Sequence, residues 1–438
     1  MNPDTWLVPA VGLALTLVVM FPFLRRQRRR DRVAKAAAQE AVLLGLDEPV
    51  SLHPVVNLER CIGTGSCVSV CPEGDVLALR DGVAHAIAPG RCIGHGLCER
   101  SCPVEAIQLV FGTAKRGVEL PRIRQNFETN VPGLFIVGEL GGMGLIRNAF
   151  EQGRQCIEGI TAQSRKGKDG EMLDLIVVGC GPAGLSASLH AKHQGLKFRT
   201  FEREDIGGTV RHYPRKKLVM SAPLAVPGYG KLDAREIRKE DLMKVWTDIV
   251  RRTGLEVGTQ EPVERIARAK GGFEITTPRG SYGAHRVVLA IGRRGKPRRL
   301  GVPGEDLPKV SYALHEPESF QGDRMLVVGG GDSAVEAALA LAEQPGNEVT
   351  VSYRRERFTR LKPANRDRFE KAMAGGKVRA LWSTNVKEIG PDRVVYADQA
   401  GAAHELANDY VLVFAGGELP TEFLKTCGVA IDTKFGTR

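Results

Sequence analysis

The chain has 438 residues, 42% of them hydrophobic and 26% charged, with a formal net charge of +11. That length accommodates two or three domains, each with its own core, and the composition is that of an ordinary globular protein without low-complexity segments. The positive balance is local: residues 25–35 hold seven Arg or Lys against one Asp, and Arg293–Arg299 adds five more basic residues.

Trp6 to Leu24 reads WLVPAVGLALTLVVMFPFL, 19 residues without a charge, followed at once by RRQRRRDR. A run of that length is enough to span a bilayer. A cleaved signal peptide would carry its positive charge before the apolar run, not after it. The pattern predicts a transmembrane anchor over 1–24, with everything after Arg25 on the cytoplasmic face of the inner membrane. A buried core helix is the alternative. The basic run then faces anionic headgroups, and no nucleic-acid partner is expected. Residues 25–52 read as a basic helical linker. The second basic run, around Arg293, reads either as a solvated loop or as a docking patch for an acidic partner or a cofactor phosphate.

Cys61-Ile-Gly-Thr-Gly-Ser-Cys67-Val-Ser-Val-Cys71-Pro72 recurs 31 residues later as Cys92-Ile-Gly-His-Gly-Leu-Cys98-Glu-Arg-Ser-Cys102-Pro103. This doubled pattern resembles the bacterial two-cluster ferredoxins, whose halves read C-x2-C-x2-C-x3-C-P. The second Cys of each half is replaced, by Thr64 and by His95. The resemblance implies a small α+β iron–sulfur domain over 53–111. It also implies that the Cys before Pro reaches across to the other cluster. One site would use Cys61, Cys67 and Cys102, and the other Cys92, Cys98 and Cys71. Three thiolates suit a 3Fe–4S cluster; a 4Fe–4S cluster would need a substitute ligand, which imidazole can be. His95 is such a candidate, whereas Thr64 is a poor iron ligand. Zinc has less support, because paired C-x2-C knuckles are absent. A degenerate domain without metal is a further alternative. So many clustered thiols point to a reducing compartment.

Leu173–Val178 reads as an apolar strand, Gly179-Cys-Gly-Pro-Ala-Gly184 follows it, and a helix-like stretch comes next. This is the dinucleotide fingerprint in its proper context. Gly179 permits the tight turn, Gly181 the approach of a pyrophosphate, and Gly184 close packing of helix on strand. The next strand, KFRTFE, ends in Glu202, placed to hold ribose hydroxyls. Met325–Val328 and Gly329-Gly-Gly331-Asp332-Ser333-Ala334 repeat the logic, with Gly329 150 residues after Gly179. There the second strand ends in Arg354 and Arg355 instead of an acid, which suits a 2′-phosphate and hence NADPH.

With GGGDSAVEAAL, YRRERF, Gly207-Gly208-Thr-Val-Arg-His-Tyr-Pro214 and AIGRRGKPRRLGVPGE, residues 172–438 resemble flavoproteins of the thioredoxin-reductase type. Pro182 and Ala183 in the first loop also look like FAD-binding flavoproteins. The resemblance implies FAD over 172–297, NADPH over 298–415, and a return to the FAD domain over 416–438. That family's reactive C-x-x-C is absent. Bacillithiol-disulfide-reductase-like relatives place a Cys where this chain has Ala183, and Cys180 reads as a packing residue. Flavoproteins of this type end in a segment like T-N-V-P-G-L-F-x-x-G-D. Here Glu128-Thr-Asn-Val-Pro-Gly-Leu-Phe-Ile-Val-Gly-Glu139 stands upstream of the glycine loop. Residues 112–162 are therefore expected to be the closing strand and helix of a circularly permuted FAD domain, with Glu139 for the family's Asp and Ser164–Glu171 as linker. The alternative is a separate strand–helix unit.

The fold class expected is α/β: two Rossmann-like domains, the ferredoxin-like domain and the N-terminal span. The function expected is electron transfer between NADPH, FAD and two iron–sulfur clusters, 3Fe–4S or 4Fe–4S, with the cofactors supplying the chemistry and no side chain needed as general acid or base. A quinone, a small disulfide or another protein could be the electron partner. A redox sensor or scaffold without turnover is the competing class.

Overall fold

The computed structural model describes residues 4–49, 52–115, 117–142, 144–163, 172–213, 218–220, 223–233, 236–293, 295, 297–314, 316–358, 361 and 363–436. The expected linker Ser164–Glu171, and Pro214, Arg294 and Lys296 of the quoted motifs, lie outside them, as do Arg116 and Met143 of the segment 112–162. The chain divides into two compact units, 1–118 with 434–438, and 119–433.

The first unit opens with helix α1, Asp4–Leu43. It ends in a Schellman turn: Gly45 takes φ +64, Gly45 N–H donates to Val42 O and Leu46 N–H to Ala41 O. Ala41, Leu44 and Leu46 then bury against Ala88. Among the described residues no helix is long and apolar enough to cross a membrane. The expected separate span is thus not supported: its residues form the start of one unbroken helix whose second half is charged. Of that span, the side chains of residues 6–10 and 19 lie outside the described ones.

Strands β1 (His53–Val56) and β4 (Ile107–Val110) pair antiparallel around the cysteine motifs. Between them stand β2 (Leu77–Arg80) and β3 (Val83–Ala86), a hairpin closed by Asp81 at φ 52 and Gly82 at φ 85. Two positive φ values in a two-residue loop match the twist of the flanking strands, and Asp-Gly is a preferred pair there. Each cysteine motif carries one short helical turn, α2 (Ser66–Ser69) and α3 (Leu97–Arg100). Each is entered through a left-handed glycine, Gly65 at φ 73, ψ 3 and Gly96 at φ 74, ψ 4. The sequence repeat is therefore a backbone repeat.

The division falls within β5 (Val118–Pro121), whose last three residues open the second unit and which pairs with strand Ile431–Lys434. Arg122 and Asp432 form an ion pair at 2.7 Å beside it. Strand β6 (Leu134–Ile136) and helix α4 (Ile146–Gln163) follow. Next come β7 (Leu175–Val178), helix α5 (Pro182–His193) and β8 (Phe198–Phe201). The parallel sheet runs in the order β6, Val287–Leu289, β7, β8. Alternation along these strands builds two cores. Phe135, Val137, Leu175 and Val177 pack under the helices with Ile157 and Ala187. Leu134, Ile136, Ile176 and Val178 face Phe273 and Ile275 of an antiparallel three-stranded layer over Arg265–Ala284. Helix α6 (Lys239–Thr253) buries Leu242, Trp246 and Ile249 in a further core.

The same plan recurs in the later half. A five-stranded parallel sheet runs Val310–Ser311, Tyr410–Val413, Arg324–Val328, Glu348–Tyr353, Val378–Trp382. Helices α7 (Asp332–Ala342) and α8 (Pro363–Ala374) cover one face, and an antiparallel layer from Asn385 to Ala407 the other.

The chain's division falls between 118 and 119. Residues 434–438 also group with the first unit, where Gly436 N–H donates to Phe111 O.

Candidate functional site

The β7–α5 turn is shaped by close backbone approach. Gly179 sits at φ +97, and a Cβ there would lie 2.6 Å from Ala290 O. A Cβ on Gly184 would lie 1.9 Å from Gly179 O, so helix α5 can seat on the sheet only with hydrogen at that position. Pro182 opens α5 at its first position, where a missing N–H costs nothing. The free N–H groups of that first turn and the helix dipole then favour an anion.

Glu202 is buried at the end of β8. Its Oε2 accepts from Cys180 N–H at 2.6 Å and its Oε1 from Glu204 N–H at 3.1 Å. The acid predicted to hold a ribose thus also braces the glycine loop; each oxygen keeps a second lone pair. Gly207 N–H donates to Cys180 O, which brings Gly208 against Gly181. From the upstream segment, Gly138 N–H donates to Gln152 Oε1 at 2.7 Å, which sets the turn that carries Glu139. Burial raises the Glu139 carboxyl above its ordinary range, against the opposing pull of Arg293.

Glu139, Gly179, Gly181, Pro182, Ala183, Glu202 and Gly208 all line one cavity of about 820 Å³, which continues to Tyr312 and Pro420. Gly184 lies behind it, in the helix–strand contact. The glycine cradle, helix N-terminus and terminal acid fit a bound dinucleotide such as FAD. Gln152 and Gly153 escaped the sequence reading. A Cβ on Gly153 would lie 2.3 Å from Ala183 O, so α4 meets α5 at backbone distance. A glycine within an otherwise amphipathic helix was the available signal.

The later loop differs. Gly329, at φ +152, abuts Phe414 O, and Gly330 lies under the Tyr353 ring. Gly331 caps α7, whose first turn holds Asp332, Ser333 and Ala334. Asp332 accepts from Asn365 Nδ2 at 2.8 Å. Strands Arg324–Val328 and Glu348–Tyr353 pair with Val328 opposite Ser352. Both glycine loop and arginines therefore leave the carboxyl edge of the sheet side by side, where such sheets bind ligands. Arg354 and Arg355 are exposed there.

In the first unit Cys61, Cys67 and Cys102 line one small cavity together with Gly63 and Thr64. Cys71, Cys92 and Cys98 form the other neighbourhood, since Cys71 lies near enough to both Cys92 and Cys98 to oppose their ionisation. Burial pushes the Cys92 and Cys98 thiols up to about 11, so taking up metal there releases protons. Backbone N–H groups point at sulfurs of both sets, among them Ala84 to Cys61 at 3.3 Å, Ala106 to Cys102 at 3.2 Å and Gly94 to Cys92 at 3.4 Å. Among the described residues no His, Cys, Asp and Glu side chains converge tightly enough for a single metal ion. Thiols spread around a gap, with N–H donors behind them, fit a multi-atom cluster instead. His95 lies in the loop before α3. Cys180 is fully buried and its thiol raised by burial, as a packing residue would be.

A model of the pyridine nucleotide-disulphide oxidoreductases matches residues 176–436. The chain belongs to that family. A 4Fe-4S dicluster domain model matches residues 53–103. The ferredoxin–NADP reductase of Ignicoccus hospitalis is 33% identical over 264 residues, 59% of this chain and 82% of that protein. The ferredoxin–NADP reductase of Thermus thermophilus is 32% identical over 271 residues, covering 59% and 77%. Among solved structures, bacillithiol disulfide reductase Bdr from Staphylococcus aureus superposes with a TM-score of 0.53 at 28% identity, covering 58% of this chain and 80% of that one. This member of the family is an FAD-dependent NAD(P)H oxidoreductase with an added iron–sulfur domain.

Proposed function

We propose that this protein carries electrons between NADPH and iron–sulfur clusters on its own chain, by way of FAD. The observation that carries the reading is the union on one polypeptide of the dinucleotide cavity and two gathered sets of three thiols. The names of the Ignicoccus and Thermus relatives, which pair ferredoxin with NADP, support it. Bound FAD would supply the conversion between two-electron and one-electron chemistry. The chain's own part is binding and tuning. Gly179, Gly181 and Gly208 admit the pyrophosphate, Glu202 meets the ribose, and Glu139 faces the cavity from the upstream segment. Gly329, Gly331, Asp332, Ser333 and Ala334 form the second loop, and Arg354 and Arg355 select the 2′-phosphate. Cys61, Cys67 and Cys102 would hold one cluster, and Cys71, Cys92 and Cys98 the other. Thr64 leaves the first site three thiolates, suited to a 3Fe–4S cluster. His95 is proposed as fourth ligand at the second.

Anaerobic purification with iron and sulfide analysis, then NADPH titration followed by flavin absorbance and electron paramagnetic resonance, tests this. Bleaching of flavin followed by cluster signals is expected. Flavin reduction with clusters left oxidised would point to a separate acceptor, such as a quinone. Disulfide reduction has no C-x-x-C to serve it, and Cys180 is buried.

Two narrower proposals accompany this one. Residues 112–162 complete the FAD domain in permuted order, supported by β6 at the edge of the FAD-domain sheet and α4 against α5; a folded, yellow fragment 165–438 would refute it. The exposed apolar row from Val11 to Leu24 and the basic run after it support membrane attachment with later residues on the cytoplasmic side. Digestion of the cysteine domain by protease added to intact cells would reverse that.

A further inference from the structure

We propose that helix α1 sets the redox level of the Cys61, Cys67 and Cys102 site by clamping the hairpin that donates to Cys61. The clamp is built from three contacts. Asp31 Oδ1 accepts the backbone N–H of Asp81 at 3.1 Å, and Lys35 Nζ lies 3.6 Å from Asp81 Oδ1. Both therefore hold the Asp81-Gly82 turn between β2 and β3. On the other side of the turn Gly82 O packs on Gly63 so closely that a Cβ on Gly63 would stand 2.0 Å from it. Gly63 belongs to the loop between Cys61 and Cys67. Two residues past the turn, Ala84 N–H points at Cys61 Sγ at 3.3 Å. The turn is thus gripped by the helix on one side and presses on the ligand loop on the other.

The direction of the effect follows from electrostatics. An N–H dipole aimed at a ligating sulfur favours the more negative, reduced form and raises the potential. Ala84 and Ala106 aim such N–H groups at sulfurs of the first site, and Gly94 aims one at the second. Of these three, the Ala84 donor is the one that rides on a strand whose turn α1 holds. Asp31 and Lys35 touch no sulfur and act as positioning residues. The inference rests on the reading that these thiols carry clusters. A parent protein without any iron signal would sink that reading, while parent signals that the clamp leaves unmoved would sink this inference alone.

The test is a redox titration of the full-length, anaerobically prepared protein, followed by electron paramagnetic resonance. Cys98→Ala, which removes a thiol of the second site, assigns the signals. Asp31→Ala should shift the first site's midpoint to more negative potential and leave the second in place. Asp31→Asn, which keeps an oxygen acceptor for Asp81 N–H, should restore it. If Asp31→Ala fails to retain iron, Asp31→Ser, whose acceptor sits farther back, gives the comparison in milder form, with a smaller shift of the same sign. An unmoved first site, or an equal shift at both, overturns the proposal.

Discussion

The two nucleotide-binding halves of residues 119–433 share a plan and part company at the third position of the glycine loop. In the half proposed for FAD it is Gly184, forced by a backbone oxygen 1.9 Å from where a Cβ would stand. In the half proposed for NADPH it is Ala334, whose methyl is fully buried. The strand after the loop differs too. Glu202 is buried and spends hydrogen bonds on its own loop, while Arg354 and Arg355 are exposed at the sheet edge. Under the proposed function the first, closed half would hold a resident cofactor and the second, open half a ligand that comes and goes.

The largest effect should come from exchanging the third positions. Gly184→Ala drives a methyl into backbone and should cost about 3 kcal/mol or more, giving protein without flavin absorbance and with a lowered thermal midpoint. Ala334→Gly should cost only about 1 kcal/mol and leave flavin in place. Similar losses in both would erase the distinction between the halves.

Next comes the upstream segment. Gly153→Val would push α4 off α5 and should abolish flavin retention, while NADPH still binds the other half by fluorescence titration. Retained flavin would show that α4 is dispensable to the closed half.

A smaller effect is expected at the open half. Removing the Arg354 and Arg355 side chains should cost on the order of 1.5–3 kcal/mol per phosphate contact. The double Ala variant should raise the apparent NADPH constant at least tenfold and leave NADH nearly unchanged. Equal losses for both nucleotides would make these arginines structural.

The smallest effect concerns stability. Arg324 hydrogen-bonds Asp409 twice from its guanidinium and once from its backbone, tying the starts of two strands and holding the Asp409 carboxyl at about 2. The folded value lies below the ordinary one of about 3.9. The pair's stabilisation is therefore complete above about pH 4 and fades as pH falls toward 2. Because both groups are partly exposed, Asp409→Asn should cost about 1 kcal/mol at neutral pH. The gap to the parent should close in acid denaturation curves; a constant gap would assign the loss to packing.

Much of this was legible because the chemistry is local. A glycine loop between a strand and a helix announces itself within ten residues, as does a doubled cysteine motif. Gly65 and Gly96 even take nearly the same φ and ψ. What escaped were contacts between distant segments. The two antiparallel layers over 265–284 and 385–407, helix α6 and the Gln152 bond to Gly138 depend on partners far along the chain.

The amino-acid order alone carried the doubled cysteine motif and the two glycine loops between strand and helix, because each follows from backbone sterics or spacing over a few residues. Only the tertiary structure decided that Leu134–Ile136 stands beside Val287–Leu289 and that Asp31 reaches Asp81. Those pairings span tens to more than a hundred residues. They are selected by which apolar faces can be buried together, and no local rule of spacing contains that choice.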